Sequence, residues 1–298
     1  MRRWLRFLPR GLRDRIILSR LRVDDDEVRG LTVKVATTVD EHEQACRLMH
    51  AAYTQHGYIQ PHASGVWVTP HGLLPSTFVF VAKRGAEVVG TMSLIVDSEL
   101  GLPMDKAYAA ELAPLRAERR RIAEVGALCV APGHRRRGIA LLLNKIMARC
   151  AMERLDVQDL VISVLREAAC LYETTLRFVQ IGGVKTYPGL SKRARGVALR
   201  LDLETADAAL ARAFGTRPLD NGNPYYLYSV HRHPQIELPS ATELGAQLQA
   251  VRRLAARRLG GMRPDCFASL DNPQRRAMRT MIPTLREHLH STPILVAQ

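Results

Sequence analysis

The sequence predicts an α/β fold, a mixed central sheet flanked by helices, with a mostly helical C-terminal extension. Three observations lead there. From Leu31 to Leu203, short alternating segments and segments of helical period follow one another. That order suits a sheet that needs helices to cover its faces. From Glu204 to Gln298 the pattern is mostly helical, with little strand signal. A chain of 298 residues, 47% of them hydrophobic, can bury one large core, or one core plus an extension. Residues 1–30 form a third, basic segment that ends in the acidic run Asp24, Asp25, Asp26, Glu27. The chain contains neither an internal repeat nor a low-complexity tract.

Each element follows from its local pattern. Leu31–Val35 alternates and reads as a strand. Thr38 and Glu41 form a capping-box pattern, and Ala45, Leu48, Met49 and Ala52 recur at helical spacing behind it. A loop follows with Pro61, Pro70 and Pro75. Phe78–Ala82 and Val88–Val96 read as a hairpin around Gly85. Glu111–Arg121 is charged and partly helical, Ile122–Val130 is a strand, and Ala131–Arg137 is a loop. Ile139, Leu142, Leu143, Ile146 and Cys150 mark a helix. Leu160–Val164 is a strand. Leu171, Tyr172, Thr175 and Leu176 mark another helix, and Val197–Leu203 is a last alternating strand. In the extension, Leu244, Leu248, Val251 and Leu254 give an apolar face opposite Arg252, Arg253, Arg257 and Arg258.

Composition narrows the function classes. The net charge is +14, carried almost entirely by arginine, since only six residues are lysine. Such a balance suits nucleic acid, anionic lipid, an acidic protein or a phosphate-rich cofactor. With no zinc spacing and no RNA-binding fingerprint, nucleic acid is not expected as a partner. The five cysteines are odd in number and widely spaced, which predicts buried thiols and neither a disulfide framework nor a metal site. The apolar runs are too short to cross a bilayer, and the N-terminus lacks a secretory apolar stretch. The expected location is cytoplasmic. Trp4, Leu5, Phe7 and Leu8 beside Arg2, Arg3 and Arg6 suit a peripheral contact with the inner face of a membrane.

Glu124–Ala140 carries the chemistry. A strand runs into the basic turn Arg135, Arg136, Arg137, then Gly138, and an apolar helix starts at once with Ile139 and Ala140. First-turn amides of a helix lack intrahelical acceptors and its dipole makes that end partly positive, so the end binds phosphate. Gly138 allows close backbone approach and Ala140 is small.

Arg135-x-x-Gly138-x-Ala140 resembles the acyl-CoA pyrophosphate motif of the GNAT superfamily, R/Q-x-x-G-x-G/A. Tyr172 and Phe178, six residues apart after a strand, resemble a second pattern of that family. Four more stretches are similar to long-chain N-acyl amino acid synthases of the N-acyl tyrosine synthase type, which are akin to acyl-homoserine lactone synthases. They are His56–Ile59 with Tyr58, Gly90–Leu94 with Ser93, Asp97–Asp105, and Ala123–Leu128. The resemblance covers most of 31–203. It implies a GNAT fold, no permanently bound cofactor and no metal. It also implies acyl-carrier protein as donor partner and an amino acid as acceptor, with Tyr58, Ser93 and Asp97 toward the substrate. The intact turn leaves acyl-CoA open as donor. Where lactone synthases carry an arginine three residues after the strand glutamate, this chain has Ala127, which argues against a lactone product.

An amino acid's amine is mostly protonated at neutral pH, so a base is required. Glu124, between Ala123 and Val125, is the candidate, since partial desolvation on a strand raises a carboxyl's pKa. A strand bulge favoured by Gly126 would offer the amide of Leu128 or Cys129 to the oxyanion, with Val130 continuing the donor-binding edge. In the family the helix tyrosine protonates the departing thiolate, which implies that role for Tyr172. From chemistry alone Tyr172 is equally a core aromatic with its hydroxyl at the edge. Two other readings stay open at this point. One is a short-chain acetyltransferase using acetyl-CoA, and the other is a non-catalytic module of this fold that binds membrane or nucleic acid through its basic ends.

Overall fold

The computed structural model describes residues 8–186 and 195–290. The residues expected at a membrane, Arg2, Arg3, Trp4, Leu5, Arg6 and Phe7, lie outside them. In chain order come α1 (Arg10–Leu18), the short α2 (Asp25–Val28), β1 (Leu31–Val35), α3 (Val39–Gln55), β2 (Thr77–Arg84) and β3 (Glu87–Val96). Next are α4 (Asp105–Ala117), β4 (Ile122–Val130), α5 (Ile139–Leu155), β5 (Asp159–Leu165), α6 (Arg166–Thr175), β6 (Val179–Thr186) and β7 (Arg195–Asp202). The extension supplies α7 (Leu203–Phe214), the two-residue β8 (Ile236–Glu237), α8 (Ala246–Met262), α9 (Asn272–Met281) and α10 (Arg286–His290).

The strands join in one sheet in the order β6-β7-β5-β4-β3-β2-β1-β8. Two contacts are parallel, β4 with β5 and β1 with β8, and the others are antiparallel. The sheet is therefore mixed and flanked by helices, as the sequence predicts. β6 is an edge strand with half its positions exposed and only Gly182 buried, so it shows no apolar alternation to recognise. α4 begins at Asp105, earlier than the charge pattern from Glu111 suggested.

The parallel pair sets up the site. β4 and β5 pair only at Ile122/Asp159, Ala123/Leu160 and Glu124/Val161. Beyond Glu124 no further pair forms, so the strands part there. Asp159 is fully buried and holds this end closed through Arg120 and Arg200, the latter at 2.7 Å.

The extension is packed onto this frame. Leu203, Ala206, Leu227 and Leu248 join the main core beside α5. Buried Lys145 of α5 donates to the carbonyls of Leu227 and His231. A second core joins Ala255, Ala256, Leu259, Phe267, Met278 and Leu285 of the extension to Val66, Val68, Leu73 and Leu74. Here one expectation is corrected. The buried stripe of α8 is Leu248, Arg252, Ala255, Ala256 and Leu259, while Leu254 is exposed. Arg252 belongs inside because its guanidinium lies 3.8 Å from the centre of the Phe78 ring and donates to the Pro75 carbonyl at 2.8 Å. Arg253, Arg257 and Arg258 stay on the outer face, with Arg258 bonded to Glu43 at 2.6 Å.

Candidate active site

Glu124 sits at the last paired position of β4 against β5. On the other side Ile95 of β3 is its partner and Ser93 faces Gly126. Alternation puts Ser93, Ile95, Ile122, Glu124 and Gly126 on one face of the sheet. α4 covers part of that face, where Ile95, Ile122 and Val161 pack with Met104, Tyr108 and Leu112.

Glu124 is only 6% exposed, and its Oε2 accepts the Met104 amide at 2.7 Å. No cation pairs with it among the described residues. Burial pushes its carboxyl up to about 8, and the negative charges of Asp105 and Asp97 add to that push. The Met104 bond opposes them without prevailing. Asp97 is not a free carboxylate. Arg116 of α4 binds it through Nε at 2.6 Å and binds Asp105 through Nη1 and Nη2, both at 2.7 Å. Asp105 also accepts the Leu102 amide at 2.7 Å, which fixes the turn that presents Met104. An open cleft of about 350 Å³ adjoins Asp97, lined also by Val96, Ser98, Arg120, Arg121 and Ile122. Glu124 does not line it.

α3 contributes a residue the sequence reading missed. Tyr53 is half-buried, 6.0 Å from the rings of both Tyr58 and Trp67, and Tyr58 stacks on His56 at 5.6 Å. Burial raises the Tyr53 hydroxyl, and Cys129, Tyr58 and Glu124 are the nearby groups that raise it further. Tyr58 was expected at the substrate, and the structure sets it in this aromatic cluster on the Glu124 side. The missed signal is the pair Tyr53 and Tyr58 flanking the end of a helix.

The bulge exists, with a different residue at its centre. β3 and β4 pair at Thr91/Cys129 and then at Ser93/Gly126, so Ala127 and Leu128 together face Met92 alone. Ala127, not Gly126, takes the left-handed backbone, at φ 55°. Gly126 has nothing near a would-be Cβ, so its glycine is not required by packing. Leu128 and Val130 turn toward the α5-side core, while Cys129 is buried and its thiol is pushed up to about 11 by that burial.

Beyond β4 the turn behaves less uniformly than its sequence. Arg135 folds back and donates from Nε to the Val130 carbonyl at 2.9 Å. Arg136 has φ 67° and extends into solvent with no ion pair among the described residues. Arg137 bonds to Glu27, whose other oxygen meets His134 Nδ1 at 2.9 Å. Gly138 is left-handed at φ 98° and N-caps α5 without any side-chain cap, followed by buried Ile139 and half-buried Ala140. A Cβ on Gly138 would lie 2.7 Å from the Cα of Val23. This glycine therefore admits the N-terminal segment, a close approach that the sequence reading assigned to phosphate.

Tyr172 lies on α6 among the residues of the main core, its ring edge-on to Phe178 at 5.8 Å. Burial raises its hydroxyl to about 12. No hydrogen bond reaches that hydroxyl among the described residues. α1 packs along α6, where Asp14 accepts from Thr174 at 2.8 Å. Among the described residues no group of three or more His, Cys, Asp or Glu is placed to hold a metal, and no helix is long and apolar enough to cross a membrane.

β4 thus joins two environments, a buried carboxyl at its start and a basic helix N-terminus just past its end. The family described as N-acyl amino acid synthase FeeM matches residues 44–202. The structure of FeeM, an N-acyl amino acid synthase from uncultured soil microbes, superposes with a TM-score of 0.54 at 27% identity, over 61% of this chain and 96% of that one. The AHL synthase LasI gives 0.45 at 14% identity, over 58% and 90%. The CoA-dependent acyl-homoserine lactone synthase BjaI, with MTA, gives 0.46 at 16%, over 76% and 100%. No curated protein sequence matches.

Proposed function

The chain belongs to the N-acyl amino acid synthase FeeM family and is an acyltransferase acting on an amine, and we propose that it makes N-acyl amino acids. In this reading it moves a long-chain acyl group from a phosphopantetheine thioester, on acyl-carrier protein or coenzyme A, to the α-amine of an amino acid. The observation that carries the reading is Glu124, a buried carboxyl with no cationic partner among the described residues, at the point where β4 leaves β5.

The residues suggest a direct transfer. Glu124 accepts a proton from the acceptor ammonium, and the freed amine attacks the thioester carbonyl. A C–N bond forms and the carbonyl oxygen becomes an oxyanion beside the Ala127–Leu128 bulge. Backbone donors there stabilise it, each by about 3 kcal/mol. The C–S bond breaks and Tyr172, a neutral phenol at working pH, gives its proton to the departing thiolate. Arg136 and the first-turn amides of Ile139 and Ala140, just after the Gly138 N-cap, hold the donor phosphate, with Arg135 and Arg137 adding positive charge around it. Ser93, Tyr53 and Tyr58 line the acceptor side. Asp97 acts from a distance, clamped by Arg116.

The basic surface suits an acidic carrier protein as well as a polyphosphate. The site would work from the cytoplasm or at the inner face of a membrane, close to fatty product. The test is turnover. Purified protein, given long-chain acyl-carrier protein or acyl-CoA with mixed amino acids, is expected to yield N-acyl amino acids by mass spectrometry. Acetyl-CoA run in parallel separates the short-chain reading. Consumption of no thioester with any acceptor would refute the proposal.

A further inference from the structure

The donor turn is not left to solvent. The acidic end of the N-terminal segment lies against it. Asp24 donates its amide to the Arg137 carbonyl at 3.2 Å, and Val23 fills the space that Gly138 leaves. Asn221 grips Val23 from the far side, accepting its amide at 2.8 Å and donating to its carbonyl at 2.6 Å. This places the side chain of Glu27, 15% exposed, between His134 and Arg137. Arg84 adds a second guanidinium at 3.7 Å and also donates to the Glu27 backbone carbonyl. The hydrogen bonds from His134 and Arg137 hold the Glu27 carboxyl below the usual carboxylate range, so it is ionised at neutral pH. An internal carboxylate thus already meets two of the basic side chains that a phosphate at this turn would seek.

We propose that Glu27 is a donor-specificity residue, which occupies His134 and Arg137 and so favours a donor with one phosphate over a donor with several. The inference rests on the reading that this turn holds the donor phosphate. The physical reason is the scaling of attraction with ligand charge. A phosphopantetheine arm presents one phosphate at the turn, whereas coenzyme A presents a pyrophosphate and a 3′-phosphate. A fixed carboxylate beside the site therefore repels coenzyme A several times more strongly. Arg136, with no ion pair among the described residues, and the first-turn amides remain to hold a single phosphate. The acidic neighbours Asp24, Asp25 and Asp26 are exposed and add repulsion in the same direction.

The test is binding of unacylated donors, which needs no turnover. Calorimetry at low salt measures Kd for coenzyme A and for 4′-phosphopantetheine in the wild type and in Glu27→Gln. Glutamine keeps the shape and a hydrogen-bond acceptor for His134. Coenzyme A is expected to bind about tenfold tighter in the variant, while 4′-phosphopantetheine changes less than about threefold. The gain should shrink as salt rises. Adding Arg137→Gln to Glu27→Gln should return most of the gain, because the cation released by the first change is then gone. Glu27→Asp keeps the charge with a shorter reach and should retain the wild-type ratio. Equal changes for both ligands, no change for coenzyme A, or the glutamine ratio in Glu27→Asp would each overturn the proposal. Failure of the acyl-transfer reading would show separately, as a wild type that consumes neither acylated donor.

Discussion

The two ends of β4 treat charge in opposite ways. At Glu124 a carboxyl is buried with no cationic partner among the described residues, and burial, helped by the charges of Asp105 and Asp97, pushes it up to about 8. At the turn after Val130 the basic side chains His134 and Arg137 are exposed or half-exposed, and one carboxylate, Glu27, is shared between them and Arg84. An uncompensated buried group becomes a proton acceptor tuned near neutrality. A compensated, solvated cluster keeps its carboxylate ionised and can exchange one anion for another. In the proposed reaction one strand would carry a proton-transfer end and an anion-exchange end, and the difference between them comes from burial and pairing, not from residue type.

The largest expected effect comes from removing the buried acid. Glu124→Gln keeps the bond from the Met104 amide but cannot accept a proton, and kcat is expected to fall by about 10²–10⁴-fold at neutral pH. Wild-type kcat should rise with pH to a limb near 8, where Glu124 ionises. The variant should lack that limb, and its deficit should shrink at higher pH as more acceptor amine is already neutral. Stability gives an independent reading. The folded state holds the Glu124 proton up to about 8, whereas the unfolded chain releases it near the ordinary 4.5. Between those values the folded state binds more protons, so stability falls as pH rises. Melting curves should therefore show the wild type losing ground to Glu124→Gln from about pH 4.5 to about 8. A near wild-type kcat at neutral pH in a folded variant would remove Glu124 from the reaction.

The other end of the strand predicts a structural loss. Gly138→Ala places a side chain at φ 98° and 2.7 Å from the Cα of Val23. The obstacle is backbone, which cannot rotate away, so the N-terminal segment or the turn must shift. A loss of about 2–3 kcal/mol is expected, read as a lower denaturation midpoint. An unchanged midpoint would mean that the segment does not seat on the turn as described. Any rise in donor KM would then need to be judged on the folded fraction, because this glycine serves the fold first.

These cases show what the sequence could convey. β4 and α5 were legible because each carries its own periodicity, and the turn between them has a composition with a physical reason. Glu124 was legible as a lone carboxyl among apolar strand neighbours. That burial would raise its pKa was legible as well; the opposing Met104 bond and the added push from Asp105 and Asp97 were not, because those groups come from another part of the chain with no local pattern. Glycine preference pointed to Gly126 as the bulge centre, yet Ala127 takes the left-handed position. The arginines of α8 read as one solvated face, but Arg252 turns inward on Phe78. Glu27 is separated from Arg84, His134 and Arg137 by 57, 107 and 110 residues, distances over which charge patterns carry no address.

The smallest expected effect tests how far the Glu124 end is tuned by groups that never touch it. Arg116 neutralises Asp97 and Asp105, the two carboxylates whose charge already raises Glu124. Arg116→Gln leaves both carboxylates uncompensated. More negative potential at Glu124 favours its protonated form, so its pKa should move upward and the kcat limb with it. At neutral pH a smaller share of the enzyme would then hold the base form, and kcat is expected to fall about two- to fivefold. The plateau at high pH should stay close to that of the wild type, because the base itself is intact. Arg116→Lys keeps the charge while losing the two-pronged grip, so its limb should fall back toward the wild-type position. A merely structural role for Arg116 would lower kcat by the same factor at every pH and leave the limb in place. The kcat–pH profiles of the three proteins therefore decide whether the ion pair tunes the base or only braces α4.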